Sequence, residues 1–244
     1  MAAFAEALTE TITVLGGEVV DPGGPTPDMV LGVGGDGTML AAARLALDDD
    51  VPVLGFNLGT LGFLTEAEPA DLERVIPRLF DGDYEVEDRM TVAASADGKS
   101  EVGLNDVVIE KVDTTRLVSL DVVIDGTHLV TQRADGLIVA TPTGSTAYSF
   151  SAGGPLLDPR LQALVVTPVA SHSLFDRSIV VPGSSRIEVT VTKDRLVRVN
   201  VDKGGLGQLA EGGRVEIHAG DRPSRFVRLG ERSFPALIRE KFGL

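Results

Sequence analysis

The period of the hydrophobic pattern changes once along this chain, near Tyr84, and this change limits the folds that the chain can adopt. Before that point, segments with apolar residues at helical spacing alternate with short continuous apolar runs. In chain order these segments cover residues 4–15, 29–33, 40–47, 51–56 and 72–80. Leu40, Ala43 and Leu47 mark the apolar stripe of the second helix. Strands that alternate with helices predict a parallel sheet covered by helices, as in an α/β domain.

After that point the pattern has a period of two, which is typical of strands with one buried face. Several runs alternate apolar with polar side chains, for example residues 187–191, 197–201 and 215–219. Turn sequences such as Asp97-Gly98 and Asp125-Gly126 lie between runs. We therefore predict a β-rich second domain, a sandwich, followed by a helix over residues 233–242.

The net charge of −14 excludes several classes of partner. An acidic surface repels phosphate backbones and anionic lipids, so we expect neither a nucleic acid nor a membrane partner. The sequence has no cysteine, no apolar run of transmembrane length and no basic region at its start. These features predict a cytoplasmic protein without disulfides or thiolate metal sites. An acidic protein that binds phosphates must supply positive potential locally, from backbone N–H groups, arginine or a metal ion.

A glycine-rich turn, Gly34-Gly35-Asp36-Gly37, follows the first apolar strand, and a helix is predicted from about Thr38. Glycines let a phosphate approach the backbone, and a helix start offers N–H groups that attract anions. A carboxylate beside phosphate is repulsive, so Asp36 needs a separate role, as a base for a hydroxyl or a partner of Mg²⁺. The alternative is that Asp36 is only the N-cap of the helix.

Residues 57–64 follow the second predicted strand and contain two glycines. Loops at the carboxyl ends of parallel strands are where α/β sheets bind ligands. Leu61 and Phe63 are candidates to flank a flat base. The alternative is that both side chains are hydrophobic plugs beneath the loop.

Asn105 and Asp106 are two polar residues at the start of an apolar strand run. Buried polar side chains need partners, and an adenine edge or a ribose diol could supply them. The alternative is that the two residues close a local turn or bulge.

The segment 133–155 is rich in glycine, hydroxyl and aromatic residues. Small side chains let a ligand lie against the backbone, while Ser145, Thr146 and Ser151 offer hydroxyl groups and Tyr148 a flat ring. Ser145 lacks a Gly-x-Ser-x-Gly sequence, which disfavours a hydrolase nucleophile. The alternative is a serine-rich loop.

Taken together, these segments resemble the NAD kinase family, whose members use ATP or polyphosphate as phosphoryl donor. The matching segments are residues 34–37, 57–64, 105–106, 135–138, 141–154 and 167–174. The resemblance implies an α/β nucleotide-binding domain plus an all-β sandwich domain. Residues 1–84 would form the first domain, to which a tail of residues 226–244 returns, and residues 85–225 would form the NAD-binding sandwich.

The resemblance also implies roles for the glycine-rich turn. Asp36 would activate the 2′-hydroxyl of NAD, with Gly37 beside it in the NAD site. Gly34, Gly35 and Gly37 would shape the phosphate loop. Mg²⁺ or another divalent metal would arrive on the phosphates of ATP, without a metal site made of side chains alone.

The other residues implied to bind NAD lie in four groups. They are Leu61 and Phe63 at the adenine, Asn105 and Asp106 at the adenosine portion, Thr146, Ala147, Tyr148 and Ser151 along the rest of the dinucleotide, and Arg133 and Asp135 across a subunit interface. Members of the family are usually homodimers or homotetramers, and the resemblance implies the same here.

This sequence departs from the family pattern in two places. The usual first strand and its Gly-Asn turn have no counterpart in the sequence, which leaves phosphate contacts from that turn unassigned. Asp106 stands where glutamate is common. Two other functions are weighed against an NAD kinase: a lipid kinase of the diacylglycerol kinase type, and a catalytically silent module that senses NAD. The net charge disfavours the first, and the carboxylate of Asp36 disfavours the second.

Overall fold

The computed structural model describes residues 2–193, 195–230 and 233–244. The chain forms two compact units, of which the first holds Met1–Asp88 and Ser224–Leu244 and the second holds Arg89–Pro223. The first unit has an α/β fold and the second is a sandwich of antiparallel sheets, which confirms the predicted fold class.

The helices are α1 (Ala2–Val14), α2 (Asp36–Asp49), α3 (Leu72–Phe80), α4 (Tyr148–Ser151) and α5 (Phe234–Phe242). The strands are β1 (Val30–Val33), β2 (Val53–Phe56), β3 (Glu85–Arg89), β4 (Val92–Ala96), β5 (Lys99–Gly103), β6 (Asp106–Lys111), β7 (Val118–Ile124), β8 (Thr127–Ala134), β9 (Gly136–Ala140), β10 (Ala163–Val169), β11 (Ile179–Pro182), β12 (Ile187–Val191), β13 (Val197–Val201), β14 (Gly204–Leu209), β15 (Arg214–Ala219) and β16 (Ser224–Arg228).

The sheet of the first unit has the strand order β1-β2-β16-β3, and both β1 and β16 run parallel to β2. Helices α1 and α3 cover one face of this sheet. The Phe4 ring of α1 lies 5.4 Å from the Phe56 ring of β2, measured between centroids. Leu54, Val75 and Ile76 belong to the same core. This arrangement confirms the parallel, helix-covered sheet that the alternating pattern predicted.

Helix α2 packs closely against the other face of the sheet, where side chains of alternate strand residues point. A Cβ atom added to Gly32 of β1 or to Gly55 of β2 would lie less than 3.0 Å from the Met39 sulfur. Glycine at both positions therefore leaves the space that Met39 fills. The buried residues of α2 are Met39, Ala42, Ala43 and Ala46. The predicted stripe is thus confirmed at Ala43 only, because Met39 and three alanines, and not the two leucines, are the buried residues of the helix.

The second unit consists of two six-stranded antiparallel sheets, with the strand orders β11-β10-β9-β6-β13-β14 and β5-β4-β15-β12-β7-β8. Their inward-facing residues form one core, to which β12 contributes Ile187, Val189 and Val191. The residues between these three are less buried, which confirms the period of two. In the predicted turn Asp125-Gly126, both residues have positive φ, +50° and +75°, as a tight two-residue hairpin turn requires.

Within residues 2–193, 195–230 and 233–244, no helix combines the length and apolar character needed to cross a membrane.

Candidate functional site

The glycine-rich turn leads directly from β1 into α2. Gly34 has φ of +153°, and a side chain there would collide with Thr38. Gly35 is the N-cap, and Asp36 is the first residue of the helix, two residues before the predicted start at Thr38. The interpretation of Asp36 as the N-cap is therefore wrong. The loop places the N-terminal end of a helix, with its anion-attracting N–H groups, beside this carboxylate.

The carboxylate of Asp36 accepts two backbone hydrogen bonds from the loop that follows β2. The N–H of Phe63 donates to Oδ2 and the N–H of Leu64 donates to Oδ1, each over 3.0 Å. A side chain at Gly62 would collide with Oδ1 of Asp36. With one hydrogen bond to each oxygen, the half-buried carboxylate is held in one orientation. The structure thus brings together two loops whose contacting residues lie 27 and 28 residues apart in the sequence.

The loop over residues 57–64 is also fixed by its own contacts and by α5. The buried Asn57 side chain donates to the backbone oxygen of Gly59 over 2.9 Å. Lys241 of α5 donates to the backbone oxygen of Leu61, and its Nζ lies 5.2 Å from the centre of the Phe63 ring. Leu61 and Phe63 are both half-buried, so neither is a fully enclosed plug. Each keeps an accessible surface that a flat ligand could cover.

In the second unit, Asp202 organises the backbone around the predicted polar pair. Its carboxylate accepts the N–H groups of Leu104, Asn105 and Asp106 over 2.7, 2.8 and 3.2 Å. Asp202 follows β13 and has a positive φ of +47°. Asp202 therefore binds the backbone N–H groups of Asn105 and Asp106. The side chains of these two residues make no hydrogen bond to any residue that the structure describes. The alternative, in which these side chains close a local turn, is not supported.

The environment of Asp106 strongly shifts the pKa of its carboxyl group. Its side chain is buried, and burial raises the pKa of the carboxyl to about 7, with a smaller contribution from the negative charge of Asp202. Burial and a nearby like charge both disfavour the ionised form. A buried acid without a protein partner is a candidate to bind a ligand hydroxyl.

The turn over residues 141–144 packs directly against the Asn105 backbone. The N–H of Thr141 donates to the Asn105 oxygen over 2.8 Å, and the Thr141 hydroxyl donates to the Leu104 oxygen over 2.6 Å. A side chain at Gly144 would overlap the Asn105 carbonyl. The small residues of this segment therefore allow two loops of the second unit to approach closely.

The hydroxyl and aromatic groups that follow this turn differ in their accessibility. Ser145 is buried and bonds to Pro142 and Leu157, so its hydroxyl has a structural role. The hydroxyl of Thr146 donates to the Thr143 oxygen over 2.9 Å. Tyr148 at the start of α4 is 42% exposed. Ala147 is half-buried and Ser151 is exposed, so the surface along this segment is formed mainly by residues 146–151.

Arg133 lies near the end of β8 and Asp135 is the single residue between β8 and β9, and the two do not pair with each other. Asp135 forms an ion pair with Lys111, whereas the Arg133 side chain is exposed. The Arg133 backbone is fixed by the Ser173 hydroxyl and by the N–H of His172, over 2.9 and 2.8 Å. A local ion pair between the two, the simplest alternative to a role at a subunit interface, is therefore not formed.

Several buried polar groups near these loops escaped the sequence analysis. Thr65 and Thr143 are buried, and their hydroxyls have no partner among the described residues. The sequence also contained no sign of Asp202 and Glu66, because an acidic residue in a loop or turn looks like an ordinary surface residue. A buried hydroxyl or carboxylate carries no signal in the sequence, since only the fold determines its burial.

Comparison with known proteins identifies related chains. Family models match two parts of the sequence: an ATP-NAD kinase N-terminal domain over residues 25–84 and an ATP-NAD kinase C-terminal domain over residues 104–229. An NAD kinase of Moorella thermoacetica is 43% identical over 217 residues, which cover 87% of this chain and 70% of that protein. An NAD kinase of Heliobacterium modesticaldum is 43% identical over 220 residues, which cover 88% and 78%.

Two solved structures are also similar. The crystal structure of an NAD kinase from Archaeoglobus fulgidus in complex with ATP has a TM-score of 0.83 at 28% identity, and the match covers 98% of this chain and 95% of that chain. The crystal structure of yeast NADH kinase complexed with NADH has a TM-score of 0.81 at 30% identity. That match covers 89% of this chain and 66%, just under two thirds, of the yeast chain.

Proposed function

The chain belongs to the NAD kinase family of phosphotransferases, and from that premise we propose how its residues carry out the reaction. The reaction moves a phosphoryl group from ATP to the 2′-hydroxyl of the adenosine ribose of NAD, which makes NADP. The observation that carries the proposal is the Asp36 carboxylate, held by the N–H groups of Phe63 and Leu64 at the start of a helix. The protein's own backbone thus orients this carboxylate.

Phosphoryl transfer needs a positioned donor, neutralised charge and a prepared nucleophile. We assign the donor phosphates to Gly34, Gly35 and Gly37, because the loop has room beside its backbone and ends at the N-terminus of α2. Asp36 accepts or orients the proton of the 2′-hydroxyl. Each of its oxygens receives one N–H bond from the loop, and a carboxylate oxygen has a second lone pair for the hydroxyl.

The adenosine portion of NAD is assigned to Asn105 and Asp106, supported by a side-chain amide and a buried carboxyl that have no partner among the described residues. The exposed ring of Tyr148 offers a large contact face. The remaining NAD contacts are assigned to Leu61 and Phe63 at the adenine and to Thr146, Ala147 and Ser151 along the dinucleotide.

A divalent cation, Mg²⁺ in the simplest case, is proposed to enter on the donor phosphates, where it would neutralise their charge. Mg²⁺ in proteins is typically held by one or two carboxylates together with substrate phosphates. Asp36 is the carboxylate of the phosphate loop and fits that donor set. No group of three His, Cys, Asp or Glu side chains in the described part of the chain could hold a metal ion by itself.

We also propose that the protein is a cytoplasmic homodimer or homotetramer in which Arg133 reaches the NAD site of a neighbouring subunit. The exposed Arg133 side chain is held on a fixed backbone, as such a contact requires. Asp135 contributes indirectly, through its ion pair with Lys111. Sedimentation of the wild type and of Arg133→Ala, with and without NAD, tests this model, because NAD should stabilise the oligomer by mass action. A fully active monomer would contradict it.

The reaction itself is tested with purified protein, ATP, Mg²⁺ and NAD, scored for NADP. Parallel reactions contain diacylglycerol in place of NAD, or inorganic polyphosphate in place of ATP. Formation of NADP supports the proposal. Phosphorylation of the lipid alone, or binding of NAD without turnover, would contradict it.

A further inference from the structure

Glu66 is a buried acid that the proposed reaction does not use. Its side chain is only 4% exposed. One carboxylate oxygen accepts the N–H of Leu229 over 2.9 Å, and the other lies 2.5 Å from a guanidinium nitrogen of Arg228, which is 20% exposed. A buried ion pair carries a desolvation cost that often cancels its attraction, so stability alone explains this pair poorly.

The position of Glu66 in the chain suggests what the pair does. Glu66 comes two residues after Leu64, whose N–H holds Asp36 together with that of Phe63. The N–H groups of Glu66 and of its successor both donate to the Gly55 oxygen of β2, over 3.0 and 3.1 Å. The backbone bonds fix this segment to one strand, and the side chain fixes it to the end of β16. A small shift of the segment would therefore move the two donors that orient Asp36.

We propose that Glu66 is a positioning residue for Asp36: its bonds to Arg228 and Leu229 hold the segment after β2 so that the N–H groups of Phe63 and Leu64 keep the Asp36 carboxylate aimed at the substrate hydroxyl. The proposal rests on the catalytic role assigned to Asp36. A displacement of about 1 Å can lower a rate by about 10²-fold, so a modest loosening of this segment has a measurable effect. Loss of these bonds should therefore lower kcat by a larger factor than it changes KM for NAD.

The first test is Glu66→Gln in the full chain. Glutamine keeps the shape and the acceptor for the Leu229 N–H but removes the charge that faces Arg228. We expect kcat to fall about 10-fold, with KM for NAD changed by less than about 3-fold. The control is Asp48→Asn, which breaks an exposed ion pair with Arg44 in the same unit and should leave kcat unchanged.

A double-mutant cycle with Asp36→Asn separates positioning from a general loss of structure. If Glu66 acts through Asp36, Glu66→Gln should not lower further the residual rate of Asp36→Asn. A merely structural role would lower the rate by the same factor in both backgrounds, which would overturn the proposal. A wild-type kcat for Glu66→Gln, beside an inactive Asp36→Asn, would overturn this proposal alone. A wild-type kcat for Asp36→Asn would overturn the role of Asp36 and this proposal together.

A second variant covers the case in which Glu66→Gln does not fold. Arg228→Lys keeps a positive charge opposite Glu66 but loses the planar guanidinium geometry. It should fold, lower kcat by less than the roughly 10-fold fall expected for Glu66→Gln but by a measurable factor of about 3, and leave KM for NAD unchanged. A folded Arg228→Lys protein with wild-type kcat would then count against the proposal.

Discussion

Two aspartates with proposed roles in the same reaction lie in opposite kinds of environment. Asp36, in the α/β unit, is half-buried and receives the N–H groups of Phe63 and Leu64. Asp106, in the sandwich, is buried, and the N–H groups around it bond to Asp202 instead. The first environment supplies one backbone hydrogen bond to each carboxylate oxygen. In the second, burial raises the pKa of the carboxyl to about 7. The same residue type is thus held in two different environments, which support the two different roles proposed for it.

Of the substitutions that test this comparison, we expect the largest effect on kcat at Asp36. Asp36→Asn keeps the shape of the side chain but removes the base, so kcat should fall at least about 10²-fold. NAD affinity should stay within a few-fold of the wild-type value, because the proposed adenosine contacts lie elsewhere in the chain. Steady-state rates and NAD titration measure the two quantities. A variant that retains more than about a tenth of wild-type kcat would show that Asp36 is not the base.

A second prediction tests whether the orientation of Asp36 matters as much as its presence. Gly62→Ala adds a methyl group that would lie less than 3.0 Å from the carboxylate, so the side chain must move. We expect kcat to fall roughly 10-fold or more, with Asp36 still present. Gly59→Ala is the matched control, because a methyl group on this glycine of the same loop meets nothing within 4 Å. Equal rates for the two variants would contradict the prediction.

Substitutions in the sandwich unit should weaken the affinity for NAD more than they lower kcat. Asn105→Ala removes an amide assigned to the adenosine portion of NAD, and Tyr148→Ala removes an exposed ring. Each should weaken NAD binding by about 1–3 kcal/mol, measured by titration. Leu161→Ala serves as a control, since this exposed apolar side chain of the same unit has no role assigned in NAD binding. Unchanged affinity in both test variants, with folding intact, would refute the proposed NAD site.

The smallest expected change is in the pH dependence of stability of the ligand-free protein, to which the raised pKa of Asp106 contributes. The folded state holds this proton more tightly than the unfolded chain, whose carboxyl titrates near its ordinary value of 3.8. The stabilisation is therefore complete below about pH 4 and is lost as the pH rises through about 7. Asp106→Asn should remove this part of the pH dependence, so its Tm should decline less than that of the wild type over this interval, by a few degrees. Parallel Tm curves for the two proteins would contradict the raised pKa.

Much of the fold and part of the candidate site could be predicted from the sequence. The periods of the two halves are local features, and they indicated the α/β unit and the sandwich correctly. The turn at Asp125-Gly126 was also predictable, because a tight hairpin requires positive φ at both residues. The buried face of α2 was predicted less well. The close approach of Met39 to Gly32 and Gly55 depends on strands that the helix sequence does not contain.

The sequence by itself determined where the chain turns and which residues are available for phosphate and nucleotide chemistry, since glycine, hydroxyl and acidic residues act locally. Only the tertiary structure decided which of them meet. The donors to Asp36 lie 27 and 28 residues further along the chain, and Asp202 lies 97 residues beyond Asn105. Asp135 pairs with Lys111 instead of Arg133 for the same reason. Hydrogen bonds and ion pairs form where the folded chain returns to itself, and that return depends on the packing of the whole unit.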